Sequence, residues 1–411
     1  LGQRALLIGR QPFWLPSGEL VVSEDSSGWW NLMVTDKAVE PVPFPAWRHP
    51  WPMAAETGMP QWVYGMRTSA WDGEQVLSAI CEQGYWQLRR LDNDGQISNV
   101  DQPFDDLAGL HAQAGRAVAI ASNATKGPGL LELDLNSGNW KHTPACEPVV
   151  SANAISVAEP VWFEGSNGMA SQAWYYPPIN GSNSSAPLLV KSHSGPTSMA
   201  SCGLNLGIQF WTSRGWGVVD VNYGGSTGFG RAYRERLLGS WGEQDVTDCA
   251  EAARALVACG KADSTRIAIE GGSAGGFTTL ACLCFTDVFR AGACRYAVSD
   301  LTAMAEDTHR FEARYLDSLV GNWPEQRELY EERSPLLHAS RIQCPVIFFQ
   351  GLQDKVVPPA QTERMAAALR QNGIPVEVHI FEQEGHGFRD SAAKIKVLEA
   401  TEKFFRTHLS L

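Results

Sequence analysis

The chain has 411 residues, enough for two domains and a large core. Its make-up, 44% hydrophobic and 19% charged, is that of an ordinary soluble protein, and no apolar run is long enough to span a membrane. The net charge of −12 comes from dispersed acidic residues and argues against nucleic acid or an anionic membrane surface as partner.

The first part, residues 1–157, carries short β-like runs broken by turns. Glu19–Ser23 and Trp29–Val34 flank Asp25-Ser26-Ser27-Gly28. The pattern returns as Gln75–Ile80 and Tyr85–Leu91, closed by Asp94-Gly95, and again as Arg116–Ala121 and Leu130–Leu135, closed by Asn136-Ser137-Gly138. Leu32, Leu88 and Leu131 hold equivalent places, a spacing that suits a four-stranded propeller blade. The stretch has room for three blades, so the expectation is an incomplete β-propeller. The chain opens on Leu1 rather than Met, which leaves room for an upstream piece, and no charged-then-apolar segment reads as a secretory signal.

Residues 158–411 read differently. Glu159–Gly165 and Ala173–Pro178 look like edge strands, and Asn180–Ser185 like a polar turn. Strands then alternate with helices: strands at Pro187–Lys191, Trp216–Asn222, Arg266–Ile269, Arg295–Val298, Cys344–Gln350 and Val376–Phe381; helices at Leu206–Arg214, Val246–Cys259, Thr278–Phe285, Thr362–Asn372 and Lys394–His408. Alternation of this length predicts an α/β domain, a mainly parallel sheet covered on both faces.

Within it, Gly271-Gly272-Ser273-Ala274-Gly275-Gly276 puts Ser273 at a strand-to-helix corner inside Gly-x-Ser-x-Gly. Such a corner exposes a serine hydroxyl on a tight turn that glycines permit. A serine nucleophile needs a base, and the base an orienting acid. Asp354 and His386 each follow a later strand, and Ser, Asp, His is the chain order of α/β-hydrolases. The other histidines considered are His193, His309, His338, His379 and His408; of these only His193 follows a strand end with glycine near it, and it reads as a structural loop residue. One oxyanion donor is expected at the Ala274 N–H, the other at the Gly195 N–H in Ser192-His193-Ser194-Gly195-Pro196.

These segments, with Asn222–Arg231 and Trp241–Val246, resemble the prolyl oligopeptidase family of serine peptidases, in its acylaminoacyl-peptidase and dipeptidyl-aminopeptidase-like branch. The resemblance implies a propeller capping an α/β-hydrolase domain and an active site of Ser273, Asp354 and His386 with Gly195 and Ala274. It also implies a substrate-binding role for Arg314; the alternative for that residue is a helix-surface ion pair. The usual His-Gly-Gly-Pro loop reads His193-Ser194-Gly195-Pro196 here, and a Cβ at position 194 puts the second oxyanion donor in question.

The expected function is hydrolysis of short peptides at or near a free or acylated N-terminus; the alternative is an esterase or amidase acting on a small non-peptide metabolite. Neither a cofactor nor a metal is implied. Gly224–Gly230 is glycine-rich but follows a late strand without a ribose-binding acid, and reads as a loop at the active-site rim. The nine cysteines form no C-x-x-C pair and no zinc-spaced cluster, which points to free, buried thiols and a cytoplasmic location. Whether the chain forms a homo-oligomer stays open.

Overall fold

A computed structural model of the chain describes residues 10–35, 47–60, 65–179, 183–307 and 312–411. His309, Phe311 and residues 180–182 of the expected polar turn lie outside the described residues.

Three four-stranded antiparallel sheets come first, each running in chain order: β1 (Arg10–Trp14), β2 (Leu20–Glu24), β3 (Asn31–Thr35) and β4 (Trp47–Arg48); β5 (Ser69–Trp71), β6 (Val76–Glu82), β7 (Tyr85–Leu91) and β8 (Ile97–Asn99); β9 (Asp106–Gln113), β10 (Arg116–Ser122), β11 (Gly129–Asp134) and β12 (Trp140–Pro144). This is the form of propeller blades. Leu32, Leu88 and Leu131 occupy the third strand of their respective sheets, and all three are buried. The hairpins after β7 and β11 turn on aspartates: Asp92 Oδ1 accepts the Asp94 and Gln96 N–H groups, and Asp134 Oδ1 those of Asn136 and Ser137. The first two sheets pack through Leu15, Val21, Leu32, Trp51, Val76 and Ile80.

The remaining strands form one eight-stranded sheet: β13 (Glu159–Glu164), β14 (Ala170–Tyr176), β15 (Leu188–Ser192), β16 (Gly217–Asn222), β17 (Ile267–Gly272), β18 (Ala291–Arg295), β19 (Val346–Gly351) and β20 (Val376–Phe381). Their order across the sheet is β13-β14-β16-β15-β17-β18-β19-β20. The six strands from β16 to β20 run parallel, and β13 and β14 add antiparallel at one side. This is an α/β-hydrolase sheet. Only β13 of the two expected edge strands is at the edge; β14 is paired on both sides. The strand expected at Arg295–Val298 lies earlier, because Ala291-Gly-Ala-Cys lacks the β-branched residues by which a buried strand is read.

The helices are α1 (Leu206–Thr212), α2 (Arg231–Arg234), α3 (Gln244–Ala258), α4 (Ala274–Phe285), α5 (Leu301–Glu306), α6 (Tyr315–Leu319), α7 (Arg327–Arg333), α8 (Pro359–Gln371) and α9 (Ser391–His408). Helix α3 buries Val246, Cys249, Ala250, Ala253 and Leu256, one stripe at helical spacing. Every residue of α4 from Ala274 to Cys284 is buried, so this helix is apolar all round and lies inside the core. Asp390 caps α9 by accepting the Ala393 N–H at 3.2 Å.

The chain divides into two compact units, and the division is not a single cut. One holds residues 1–157 together with Ser201–Asn205 and Thr227–Arg234; the other holds the rest. Within the first unit, Gly230 N–H donates to Glu56 Oε1 at 3.1 Å, Arg231 N–H donates to the Gly28 carbonyl, and Arg234 pairs with Asp25 and stacks on Trp30. The glycine-rich loop is therefore split: Tyr223–Ser226 belong to the sheet's unit and Thr227 onward to the blades. All nine cysteines are free; Cys146 and Cys259 are exposed, so the expectation of uniformly buried thiols does not hold. Among the described residues no helix is long and apolar enough to cross a membrane.

Candidate active site

Ser273 stands between β17 and α4 with φ 55° and ψ −122°. For a residue with a Cβ this is a strained backbone, tolerated only where the surroundings fix it. The neighbouring glycines show how tight they are. A Cβ on Gly271 would lie 2.2 Å from the Gly275 carbonyl oxygen, and one on Gly275 would lie 2.2 Å from the Ser192 carbonyl oxygen. On Gly276 it would meet the Ala297 Cβ at 2.5 Å. Strand β15, the elbow and the first turn of α4 thus touch backbone to backbone. The turn is closed by two further bonds, Ser273 N–H to the Arg295 carbonyl and Phe277 N–H to the Ser273 carbonyl, both 3.0 Å.

The structure brings Ser273, Asp354 and His386 into one hydrogen-bonded row. Ser273 Oγ is 2.9 Å from His386 Nε2, and His386 Nδ1 is 2.9 Å from Asp354 Oδ2. Assigned from this network, the Ser273 hydroxyl donates to Nε2 and the Nδ1–H donates to the carboxylate. The Asp354 side chain is fully buried, and its Oδ1 accepts the Val356 and Val357 N–H groups at 2.9 Å each. Asp354 follows β19 and His386 follows β20. The two loops cross where Gln353 N–H meets the Glu384 carbonyl at 3.0 Å, and a Cβ on Gly351 would fall 2.3 Å from that same oxygen. Glu384 also accepts the Arg389 and Asp390 N–H groups, which folds the histidine loop back on itself.

The loop after β15 carries Gly195, at φ +70°. It is fastened on both sides of that glycine. Ser194 Oγ donates to the Gly272 carbonyl at 2.9 Å, and Thr197 Oγ1 is 3.1 Å from the Tyr315 hydroxyl. His193 stacks on Tyr223 with ring centroids 4.3 Å apart, and its Nε2 is 2.8 Å from Ser226 Oγ. The Ser226 hydroxyl also bonds the Tyr223 carbonyl, and His193 Nδ1 lies 3.2 Å from the Gly195 carbonyl, so the ring has a polar neighbour at both nitrogens. Burial pulls the His193 pKa down to about 4, leaving it a neutral prop of the loop.

Arg314 does not join this row. Its side chain is 79% exposed and pairs, from just ahead of α6, with Asp317 on that helix at 2.9 Å, while its neighbour Tyr315 is the one that reaches the loop. Of the remaining histidines, His379 stacks on Phe349 and pairs with Glu377, His338 packs edge-on to Phe285, and His408 lies against Phe404.

Sequence reasoning passed over a row of charges beneath the elbow. Asp220, Lys191 and Glu270 stand opposite one another on β16, β15 and β17. Lys191 and Arg295 both pair with the buried Glu270, Arg295 at 3.2 Å. Burial alone would raise Glu270, but the two cations overcome it and hold its pKa at about 2. The available signal was Glu270 itself, an acid set in an apolar strand three residues before the serine.

The model of the prolyl oligopeptidase family matches residues 203–411, just over half of the chain. Dipeptidyl aminopeptidase BIII of Pseudoxanthomonas mexicana is 33% identical over 208 residues, 49% of this chain and 30% of that protein. An acylamino-acid-releasing enzyme of Arabidopsis thaliana is 32% identical over 208 residues, 49% of this chain and 27% of its own. Among solved structures, puromycin hydrolase superposes with a TM-score of 0.93 at 37% identity, over 98% of this chain and 61% of that one. The alignments with the two curated relatives therefore take in less than a third of their lengths.

Proposed function

Because the chain belongs to the prolyl oligopeptidase family, we propose that it acts as a serine peptidase that hydrolyses short peptides at or near the N-terminus. The observation that carries this reading is the row Ser273–His386–Asp354, with 2.9 Å at both links, on a strained elbow.

In the proposed reaction Ser273 Oγ attacks the substrate carbonyl while His386 Nε2 takes its proton. Asp354 keeps the imidazole in the tautomer that can accept there and stabilises the imidazolium that forms. The carbonyl oxygen, now negative, is met by the Ala274 N–H at the start of α4 and the Gly195 N–H. His386 then protonates the leaving amine, and an acyl-enzyme ester remains on Ser273. Water, deprotonated by His386, attacks that ester, and collapse of the second tetrahedral adduct returns the proton to Ser273 and frees the acid. No step draws on a cofactor or metal.

The substrate is proposed to be a short peptide with a free or acylated N-terminus, since relatives of both names match. A second reading, amide hydrolysis on a small non-peptide molecule, is favoured by the likeness to puromycin hydrolase. Nine free cysteines and a net charge of −12 suit a reducing, cytoplasmic setting without a nucleic-acid partner.

The test is a panel of chromogenic aminoacyl, acylaminoacyl and simple ester substrates, with puromycin beside them, on wild type and Ser273→Ala. Peptide-type substrates are expected to turn over, and Ser273→Ala to lose roughly a thousandfold or more in kcat with its thermal midpoint unchanged. Full activity in Ser273→Ala would sink the mechanism. Turnover of puromycin with none of the aminoacyl or acylaminoacyl compounds would favour the second reading.

A further inference from the structure

Residues Arg295 and Tyr296, at the end of β18, touch all three segments that carry the hydrogen-bonded row. The Arg295 carbonyl accepts the Ser273 N–H at 3.0 Å. The Tyr296 N–H donates to the Phe349 carbonyl at 2.8 Å, on β19, the strand that leads to Asp354. The Tyr296 ring lies edge-on to the His386 imidazole, with centroids 4.9 Å apart and planes at 61°. It meets Phe388, two residues on in the same loop, at 5.0 Å and 85°.

The other side of this ring rests on the nucleophile strand. A Cβ built on Gly272 would come within 3.0 Å of Tyr296 Cε2 and 3.2 Å of its Cζ and hydroxyl oxygen. The phenol thus fills the space between Gly272, next to Ser273, and the imidazole, and a side chain at position 272 would crowd it.

Tyr296 reaches this place at φ 37°, in the left-handed region that bulky residues avoid. Such strain persists only where surrounding contacts over-determine it. Those contacts are visible: the Arg295–Tyr296 peptide is committed at both its ends, its carbonyl to Ser273 and its N–H to Phe349, and the Arg295 side chain is held by the buried Glu270 at 3.2 Å.

We propose that Tyr296 is a positioning residue for acyl transfer, its ring fixing the His386 imidazole in line with Ser273 from a strained turn that the Glu270–Arg295 pair secures. The inference rests on the peptidase reading above. The ring acts through shape: it blocks rotation of the imidazole away from Ser273 and keeps water from that flank. It takes no proton and forms no bond with substrate. Proton transfer from Ser273 to His386 is sensitive to such placement, since a displacement on the order of 1 Å can lower a rate by about a hundredfold.

The experiment compares Tyr296→Phe and Tyr296→Leu with wild type and Ser273→Ala, on whichever panel substrate wild type turns over best. Tyr296→Phe keeps the ring and is expected to stay within about threefold of wild-type kcat. Tyr296→Leu removes it and is expected to lower kcat roughly 10–100-fold with KM within about threefold. Should Tyr296→Leu not fold, Tyr296→Met, unbranched and without a ring, carries the same expectation. The assignment is overturned by wild-type kcat in the ring-less variant, by a rise in KM with kcat intact, or by Tyr296→Phe losing as much as Tyr296→Leu. An active Ser273→Ala would overturn the peptidase reading itself. An inactive Ser273→Ala beside an unimpaired Tyr296→Leu would overturn only the role of Tyr296.

Discussion

Ser194 offers a direct trial of how the proposed second oxyanion donor, the Gly195 N–H, is held. Its side chain donates to the Gly272 carbonyl at 2.9 Å, joining the loop of Gly195 to the residue before Ser273. Two rival consequences follow from having a serine there. A Cβ at 194 could obstruct the loop, in which case Ser194→Gly should raise kcat. The hydroxyl could instead strap the loop down, in which case both Ser194→Ala and Ser194→Gly should lower it. The geometry favours the strap. A neutral, partly buried hydrogen bond contributes about 1 kcal/mol net. If that much is lost from the transition state alone, kcat falls roughly fivefold. The loss stays well short of the 10²–10³-fold typical of removing a donor outright, because His193 and Thr197 still fasten the loop on either side. The assay is steady-state kinetics of both variants on one acylaminoacyl or aminoacyl substrate, with KM expected to stay within about twofold of wild type. Wild-type kcat in Ser194→Ala, or a gain in Ser194→Gly, would refute the strap.

Two further outcomes test the scaffold. Gly275→Ala would place a Cβ 2.2 Å from the Ser192 carbonyl oxygen and 2.8 Å from that of His193. Both are backbone atoms that cannot swing aside, so a loss of about 3 kcal/mol is expected in urea unfolding; a wild-type midpoint would contradict the close approach. Burial, helped by Glu270 and opposed by Lys191 and Arg295, pushes the Asp220 carboxyl up to about 6 from an ordinary 3.8. The folded pKa lies above the unfolded one, so the native state holds the proton more tightly and stability falls as pH rises from 3.8 to about 6. Asp220→Asn should therefore match wild type near pH ~4 and exceed it by about 1–3 kcal/mol above pH ~7. A difference independent of pH would refute that reading.

The Ser273 corner was legible because its geometry demands local signals: glycines around a serine, an apolar strand before it and an apolar helix after it. The same glycines hid the start of α4. Gly275 and Gly276 have poor helix propensity, so the pattern places the helix at Thr278, yet it begins at Ala274. Glycine is there for contact with Ser192 and Ala297, which only the folded chain reveals. The order of Asp354 and His386 could be read from strand ends, whereas Tyr296 could not. Its relation to His386 depends on β18 lying between β17 and β19, a neighbourhood set by sheet order. Arg314, suggested by likeness, is exposed and paired with Asp317, beside the tyrosine that contacts Thr197. The short strands β1, β4, β5 and β8 have two to five residues each, too few for alternation to declare them.

The buried charges can be understood from the strain above them. Ser273 at φ 55° and Tyr296 at φ 37° are two non-glycine residues in unfavourable backbone, at the ends of adjacent strands. One hydrogen bond, Ser273 N–H to the Arg295 carbonyl, couples them, so relaxation of either turn would pull on the other. The backbone ladders of β15, β17 and β18 set the register of these strands. An ion pair has a definite partner and a definite length. Glu270 on β17 binds Arg295 on β18 and Lys191 on β15, joining three neighbouring strands directly beneath the corner. Replacing such a cluster with well-packed apolar residues need not lower stability, whereas deleting one member leaves an uncompensated charge. The cluster thus adds a side-chain tie across the three strands at whose ends stand the strained serine and the strained tyrosine.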